Sequence, residues 1–92
     1  MQSVIELAGL PAEQQRCLQT AVRCQGLVYA RGGGFVGLLF DVRELDGRYD
    51  YQSAVSPLIR LGLLSPGLIS VYPTDAGIEL YDSGRVAREL AA

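Results

Sequence analysis

The sequence predicts a small α+β protein, with three to four helices and short β-hairpins in a single domain spanning residues 1–92. Apolar residues recur at helical spacing in several segments, and each segment is bounded by a capping residue or a glycine. Between them lie short runs rich in β-branched and aromatic residues, separated by turns of Gly, Pro and Ser. Ninety-two residues leave room for one hydrophobic core, and 49% of them are hydrophobic, which is a globular composition.

Two helices are predicted in the first quarter of the chain. The spacing of Ser3 and Glu6 matches a capping box, which predicts a short helix over Val4–Ala8. Proline suits the first position of a helix, so a second helix is predicted from Pro11 to Gln25. Its inward face consists of Cys17, Leu18, Ala21, Val22 and Cys24.

The next segment predicts a hairpin. Leu27–Arg31 and Phe35–Phe40 are rich in β-branched and aromatic residues, and three glycines, Gly32–Gly34, separate them. A glycine-rich stretch can also cradle a phosphate, but no Lys-Ser or Lys-Thr pair follows this one. A structural turn is therefore the favoured interpretation.

Charged residues are concentrated between Asp41 and Asp50, where Asp46-Gly47 is a turn signal. The close carboxylate groupings of the chain, Asp41 with Glu44 and Asp46 with Asp50, lie in this segment. Arginines flank them, and solvated ion pairs are the usual outcome of such a mixture. We expect no catalytic role for these carboxylates.

A third helix is predicted from Tyr51 to Leu61, where it ends in a left-handed corner at Gly62. Its inward side consists of Ala54, Val55, Leu58 and Leu61, with Ile59 at the edge. Gln52, Ser53, Ser56 and Arg60 point the opposite way. Pro57 falls in or just after the first turn, where few backbone donors are lost.

A second, short hairpin and a last helix complete the chain. The hairpin strands are predicted at Leu63-Leu64 and Leu68–Tyr72, with the turn at Ser65-Pro66-Gly67. Thr74 caps a helix that is expected to reach Ala91, with an interruption possible near Gly84. The inward stripe of this helix consists of Ala76, Leu80, Ala87, Leu90 and Ala91. It packs either on the domain itself or on a second copy.

The segment from Ser53 to Gly77 resembles part of a known fold. The order of a helix ending in Leu-Gly-Leu-Leu, a short hairpin and a helix opened by Thr-Asp-Ala-Gly is similar to small bacterial and phage winged-helix regulators, including those of the MarR type. The resemblance implies that Tyr51–Leu61 is the recognition helix and that the following hairpin is the wing. A winged-helix protein normally has a short helix near Asp41–Leu45, where this chain is mostly charged.

The resemblance implies a DNA-binding transcriptional regulator. Arginine is bidentate to guanine, glutamine pairs with adenine and serine suits either base. The candidate contacts on duplex DNA, or on a protein partner, are Gln52, Ser53, Ser56, Arg60, Arg48, Arg43 and Tyr51, and Arg31 is a further phosphate candidate. The same polar residues also suit a simple solvated helix face. The predicted wing has no charge to place in a minor groove.

The alternative is a protein-interaction module of the same fold, such as a small phage or mobile-element protein that binds and inhibits a host complex. Fold does not determine function, and an acidic chain with five tyrosines suits a partner surface. A homodimer through the C-terminal helix is also possible. The sequence names neither an operator nor a partner.

Composition limits the other classes of function. The net charge is −2, with ten acids against eight arginines, which disfavours strong nonspecific DNA binding. Histidine is absent, which removes the commonest general base and metal ligand, so we expect no enzyme, no cofactor and no metal. No run approaches the ~18 apolar residues of a membrane span, and a cytosolic protein is expected.

The two cysteines are predicted to be free and structural. Cys17 and Cys24 share a helix face but stand ~10 Å apart along its axis, too far for a disulfide. The predicted core consists of Leu18, Val22, Phe35, Val55, Leu58, Leu61, Leu63, Val71 and Leu80.

Overall fold

The computed structural model describes residues 2–39 and 47–89, which form an α+β fold of three helices and two antiparallel sheets. The elements in chain order are β1 (Gln2–Glu6), a 3₁₀ turn (Leu7–Gly9), α1 (Ala12–Arg23), β2 (Leu27–Tyr29), β3 (Phe35–Gly37), a π-helical turn (Tyr51–Val55) that continues into α2 (Ser56–Arg60), β4 (Leu64–Pro66), β5 (Ser70–Pro73), α3 (Asp75–Ser83) and β6 (Arg85–Glu89). The α+β class is confirmed.

The first predicted helix, Val4–Ala8, is wrong. Residues Gln2–Glu6 form β1, which pairs antiparallel with β6, and Val4 stands opposite Ala87. A capping box satisfies two backbone donors, whereas the ladder with β6 provides partners along the whole segment and suits the β-branched residues Val4 and Ile5. Only the single turn Leu7–Gly9 is helical here.

The last helix is shorter than predicted. Thr74 caps it as expected, since its hydroxyl accepts the Gly77 N–H at 3.1 Å. The helix then ends at Ser83, and Gly84 adopts a φ of 86°, a left-handed conformation that glycine tolerates without strain. Residues Arg85–Glu89 then turn back as β6, because β1 offers them a complete antiparallel partner.

The helix α1 agrees closely with its prediction. Pro11 is the residue before the first turn, and the helix runs to Arg23 with Gly26 just beyond its end. The predicted inward residues Cys17, Leu18, Ala21 and Cys24 are buried, while Val22 is half-buried.

Four strands form the second sheet, in the order β3-β2-β5-β4. The β2–β3 hairpin is confirmed, with Tyr29 opposite Phe35 across the glycine turn. Strand β5 joins the two hairpins, since it pairs with β2 through Val71 and with β4 through Tyr72. The helix α1 packs on one face of this sheet, where a Cβ at Gly37 would collide with Cys24 and Thr20.

The helical segment 51–60, formed by the π-helical turn and α2, confirms the third predicted helix. Ala54, Val55 and Leu58 are its buried residues, and Leu61 is only half-buried. Gly62 follows with a φ of 77°, the predicted left-handed corner.

One core holds the fold together. Six of the nine predicted core residues are buried, namely Leu18, Val55, Leu58, Leu63, Val71 and Leu80, whereas Val22, Phe35 and Leu61 lie at its edge. The core also contains Leu27, Leu64, Val86 and Tyr49. The hydroxyls of Tyr49 and Thr20 share a buried hydrogen bond of 2.8 Å, which satisfies both groups away from water.

Of the described helices, none combines the length and apolarity needed to cross a bilayer.

Candidate functional site

The exposed side of the 51–60 segment is the site predicted from the sequence, and acidic groups surround its first turn. The Asp50 carboxylate accepts the N–H groups of Gln52 and Ser53, both at 3.0 Å. The Ser53 hydroxyl lies 3.2 Å from both carboxylate oxygens of Glu13 and 3.3 Å from Asp50. Gln14 also donates to the Ser53 carbonyl at 3.3 Å. Two carboxylates therefore occupy the end of the helix where an anion would otherwise bind.

The other predicted residues of this segment do not form one cluster. Gln52 and Arg60 are exposed as expected, while Ser56 is half-buried. Tyr51 is half-exposed, and its ring centroid lies 6.0 Å from that of Phe35. Tyr51 thus belongs to the edge of the β2–β3 hairpin as much as to the helix face.

Arg48 holds the glycine turn of the first hairpin. Its Nη1 donates to the carbonyls of Arg31 and Gly33, at 3.1 and 3.0 Å. The turn also closes on itself, because the Ala30 N–H donates to the Gly34 carbonyl at 2.8 Å. The predicted structural turn is confirmed, and the Arg48 Nη1 group is already hydrogen-bonded within the fold.

Arg43, the remaining candidate, lies outside the described residues, as do the predicted features of Asp41–Asp46.

The second hairpin differs from its prediction in register. Its turn falls at Gly67–Ile69 and not at Ser65-Pro66-Gly67, because Ser65 and Pro66 pair with Tyr72 and Val71. The Gly67 N–H donates to the Ser70 carbonyl at 2.6 Å and closes the turn. Proline is tolerated here because β4 is an edge strand of the sheet.

The shifted turn places two large apolar side chains in water. Leu68 is 104% exposed and Ile69 is 80% exposed, against a half-exposed Tyr72 on the following strand. Between Leu61 and Thr74 the sequence has no charged residue. The tip of this hairpin is therefore both apolar and electrically neutral.

The same character continues along the outer face of the sheet. Side chains alternate between the two faces of a strand, so the buried Leu27 and Val71 mark the inner face. Val28, Val36, Ser70 and Tyr72 then point outward. Ser70, opposite Val28, is buried, and the other three are half-buried or exposed. We name the apolar face as the set Val28, Val36, Leu38, Leu68, Ile69 and Tyr72.

Contacts around two glycines show which parts of this face the Tyr72 ring joins. A Cβ built on Gly26 would meet the Tyr72 ring at 3.1 Å and Leu38 at 3.3 Å. A Cβ on Gly67 would meet the opposite edge of the same ring at 2.8 Å. The Tyr72 ring therefore bridges the end of β3 and the hairpin tip. Outer faces of antiparallel sheets are usually polar when they face water, so the composition of this one is unusual.

Charge is carried by other parts of the described surface. The helix α3 exposes Asp75, Glu79 and Asp82 on successive turns. Glu6 and Arg85 form an exposed ion pair of 4.0 Å across β1 and β6. The acids Glu13 and Asp50 lie at the start of the 51–60 segment, as described above. Within residues 2–39 and 47–89, these acids lie on elements other than the apolar face.

The cysteines and the C-terminal stripe contribute no site. Cys17 and Cys24 are free and buried, as predicted. Burial raises the pKa of the Cys17 thiol to about 12, with Glu13 adding to the effect, so the reactive thiolate is strongly disfavoured. Among residues 2–39 and 47–89, no three His, Cys, Asp or Glu side chains converge as metal ligands.

The predicted dimer contact through a C-terminal helix is wrong in its premise. Leu80 is buried in the domain's own core, and Ala87 lies on β6, so the two residues do not share a helix face. Leu90 lies outside the described residues.

The apolar face is the feature that sequence reasoning missed. The uncharged run Leu61–Pro73 is its signal in the sequence, but the predicted core includes only Val71 of the strand Leu68–Tyr72, and no role is predicted for Leu68 or Ile69. Comparisons with protein-family models, curated proteins and solved structures return no significant match for this chain.

Proposed function

We propose that this chain is a protein-interaction module of winged-helix-like architecture, and that the apolar face is its contact surface. The exposure of Leu68 and Ile69 at the tip of an uncharged hairpin is the observation that carries the proposal. Single exposed apolar residues are common on proteins, but a contiguous patch is typical of an interaction site. Here the tip continues into Tyr72 and the outer sheet residues.

The order of the elements supports the winged-helix part of the proposal. A helix (α1), a strand (β2), a second helical segment (51–60) and a hairpin (β4–β5) follow one another, and β2 pairs with the second hairpin strand. In such a fold the β4–β5 hairpin is the wing. This chain departs from the usual winged-helix order at one point. Strand β3 precedes the 51–60 segment, where the first helix of a helix-turn-helix is expected.

Electrostatics favour a protein partner over duplex DNA. Phosphate contacts by Lys and Arg supply most of the affinity for DNA, and a basic wing would extend them. This wing carries no charge, and the N-terminal turn of the 51–60 segment is flanked by Asp50 and Glu13. Apolar contact needs no such charges, because burial of apolar surface drives it.

DNA-duplex binding is the second candidate, because Gln52, Ser53 and Arg60 are exposed as a recognition helix requires. If this segment enters a major groove, Arg60→Ala is expected to cost roughly 1–3 kcal/mol of specific binding. A gel-shift series on genomic fragments at low salt measures it. Retardation that is lost in Arg60→Ala and kept in Leu68→Glu supports DNA binding and contradicts the protein-partner proposal.

A photo-crosslinking residue at position 69 tests the proposed function in cells. We expect adducts with protein, and we expect Leu68→Glu in the same chain to abolish them. Ile78→Glu is the matched control, because Ile78 is an exposed apolar residue on α3 and is not part of the apolar face. No adduct, an adduct with nucleic acid, or an adduct unaffected by Leu68→Glu would each contradict the proposal.

A further inference from the structure

We infer that the apolar face binds a second copy of this chain in a two-fold symmetric dimer. The inference rests on the proposed function and names the partner of the same surface. Self-association places equivalent surfaces against each other, so each residue near the symmetry axis meets its own copy. A charged surface therefore repels itself, whereas a neutral apolar one does not.

Over the part of the chain that the structure describes, the distribution of charge favours this face over α3 and the start of the 51–60 segment. Asp75, Glu79 and Asp82 are exposed along α3, and the start of the 51–60 segment carries Asp50 and Glu13. Two copies of a chain with a net charge of −2 repel each other through either surface. The apolar face has six uncharged residues, and the uncharged Ser65 and Ser70 lie beside them on the sheet, so contact between these described residues involves no like-charge pair.

The shape of the face also suits a second sheet. Four strands spaced by about 4.8 Å make a face roughly 19 Å wide. Two antiparallel sheets pack face to face about 10 Å apart when their facing side chains are apolar. The Tyr72 ring and the half-buried Val28 and Val36 provide such side chains. Leu68 and Ile69 project at one end, where they enlarge the area that a partner covers.

The strands of this sheet are short, so the dimer is expected to be weak. Strands of three to four residues give a face roughly 10–13 Å long, and with a width of roughly 19 Å its area is about 190–250 Å². That is far less than the ~800 Å² that each partner buries in a standard stable interface. We therefore expect a dissociation constant on the order of 100 µM. The association is apolar, so raising the salt concentration from 50 to 500 mM is expected to change it by less than about twofold.

Sedimentation equilibrium of the 92-residue chain from about 10 µM to 1 mM measures the association. The average mass of the wild type is expected to rise with concentration toward twice the monomer mass. Leu68→Glu and Tyr72→Glu are each expected to weaken the dimer at least tenfold, whereas Ile78→Glu leaves it unchanged. Far-UV circular dichroism and a urea midpoint establish that each variant is folded.

The outcomes separate this inference from the proposed function. A wild type that stays monomeric to 1 mM overturns the second copy as partner. So does a dimer that Ile78→Glu disrupts and Leu68→Glu does not. If the chain is monomeric but position 69 still crosslinks to another protein in a Leu68-dependent way, the proposed function stands without this inference. A monomer that forms no such adduct contradicts both.

Discussion

The two hairpins of the four-stranded sheet begin alike and end differently. Both are short antiparallel pairs, and both turns contain glycine. The first turn is held by Arg48, and the edge of its hairpin is covered because Phe35 and Tyr49 exchange backbone hydrogen bonds of 2.8 Å. The second turn closes through its own backbone, where the Gly67 N–H donates to the Ser70 carbonyl, and it leaves Leu68 and Ile69 in water.

Under the proposed function, this difference separates surface that stabilises the fold from surface that a partner contacts. In the first hairpin, polar and aromatic groups are used to fasten the element to the domain, as the Phe35–Tyr51 ring contact illustrates. In the second, the base is fastened and the tip is free. Apolar side chains that stabilise nothing in the monomer are best explained by a partner that covers them.

The largest expected effect is the difference in stability loss between substitutions at two leucines of the second hairpin. Leu64 is buried at 2% exposure, so Leu64→Ala is expected to lower the free energy of unfolding by roughly 2–5 kcal/mol. Leu68 has no burial to lose, so Leu68→Ala is expected to change it by less than about 0.5 kcal/mol. Urea denaturation measures both. Equal losses would show that the tip is packed in solution and would remove the contrast between base and tip.

Gly77→Ala tests how the base of the second hairpin is anchored. A Cβ at Gly77 would collide with the Leu63 carbonyl, which accepts the Thr74 N–H at 3.0 Å. A backbone group cannot rotate away, so we expect a loss of roughly 3 kcal/mol, the upper end of the overpacking range. Gly9→Ala is the control, because a Cβ there meets nothing within 4 Å. An unchanged thermal midpoint in Gly77→Ala would show that α3 lies farther from the Leu63 carbonyl than it does in this structure.

Arg48→Ala tests the fastening of the first hairpin. It removes two exposed hydrogen bonds to the turn, which predicts a loss of about 1 kcal/mol. We also expect faster amide exchange at Gly32–Gly34, with no change at Leu68 and Ile69. Arg60→Ala serves as the matched arginine control, since Arg60 lies at the exposed end of α2. Equal exchange rates in wild type and Arg48→Ala would mean that the turn holds itself.

Local signals predicted the elements that depend on neighbouring residues. Periodicity located α1 and the 51–60 segment, and a single threonine located the start of α3. The failures share a physical cause. Strands β1 and β6 stabilise each other across almost the whole chain, so neither is visible in its own local pattern. The candidate site predicted from the sequence stays a prediction. The apolar face was missed because alternation reveals which residues share a face and not which face is covered.

The smallest effect concerns the reactivity of the core thiol. Because the pKa of Cys17 is raised to about 12, we expect it to resist a thiol reagent at pH 8 in the folded protein. The group is neutral in the folded state and ionises more easily when unfolded, so stability falls as the pH rises above about 9. Rapid labelling without denaturant, at a rate matching a model thiol, would show that the α1 face is open.

Hydrogen exchange measured at several protein concentrations tests the central account most directly, because it compares the two hairpins in one experiment. Raising the concentration of the wild type from about 10 µM to 1 mM is predicted to slow exchange in residues 64–73, and to leave the Gly32–Gly34 turn and the exposed end of α2 unchanged. Leu68→Glu is predicted to abolish the slowing. Protection that appears instead on the 51–60 segment or the glycine turn would contradict the apolar face as the contact surface.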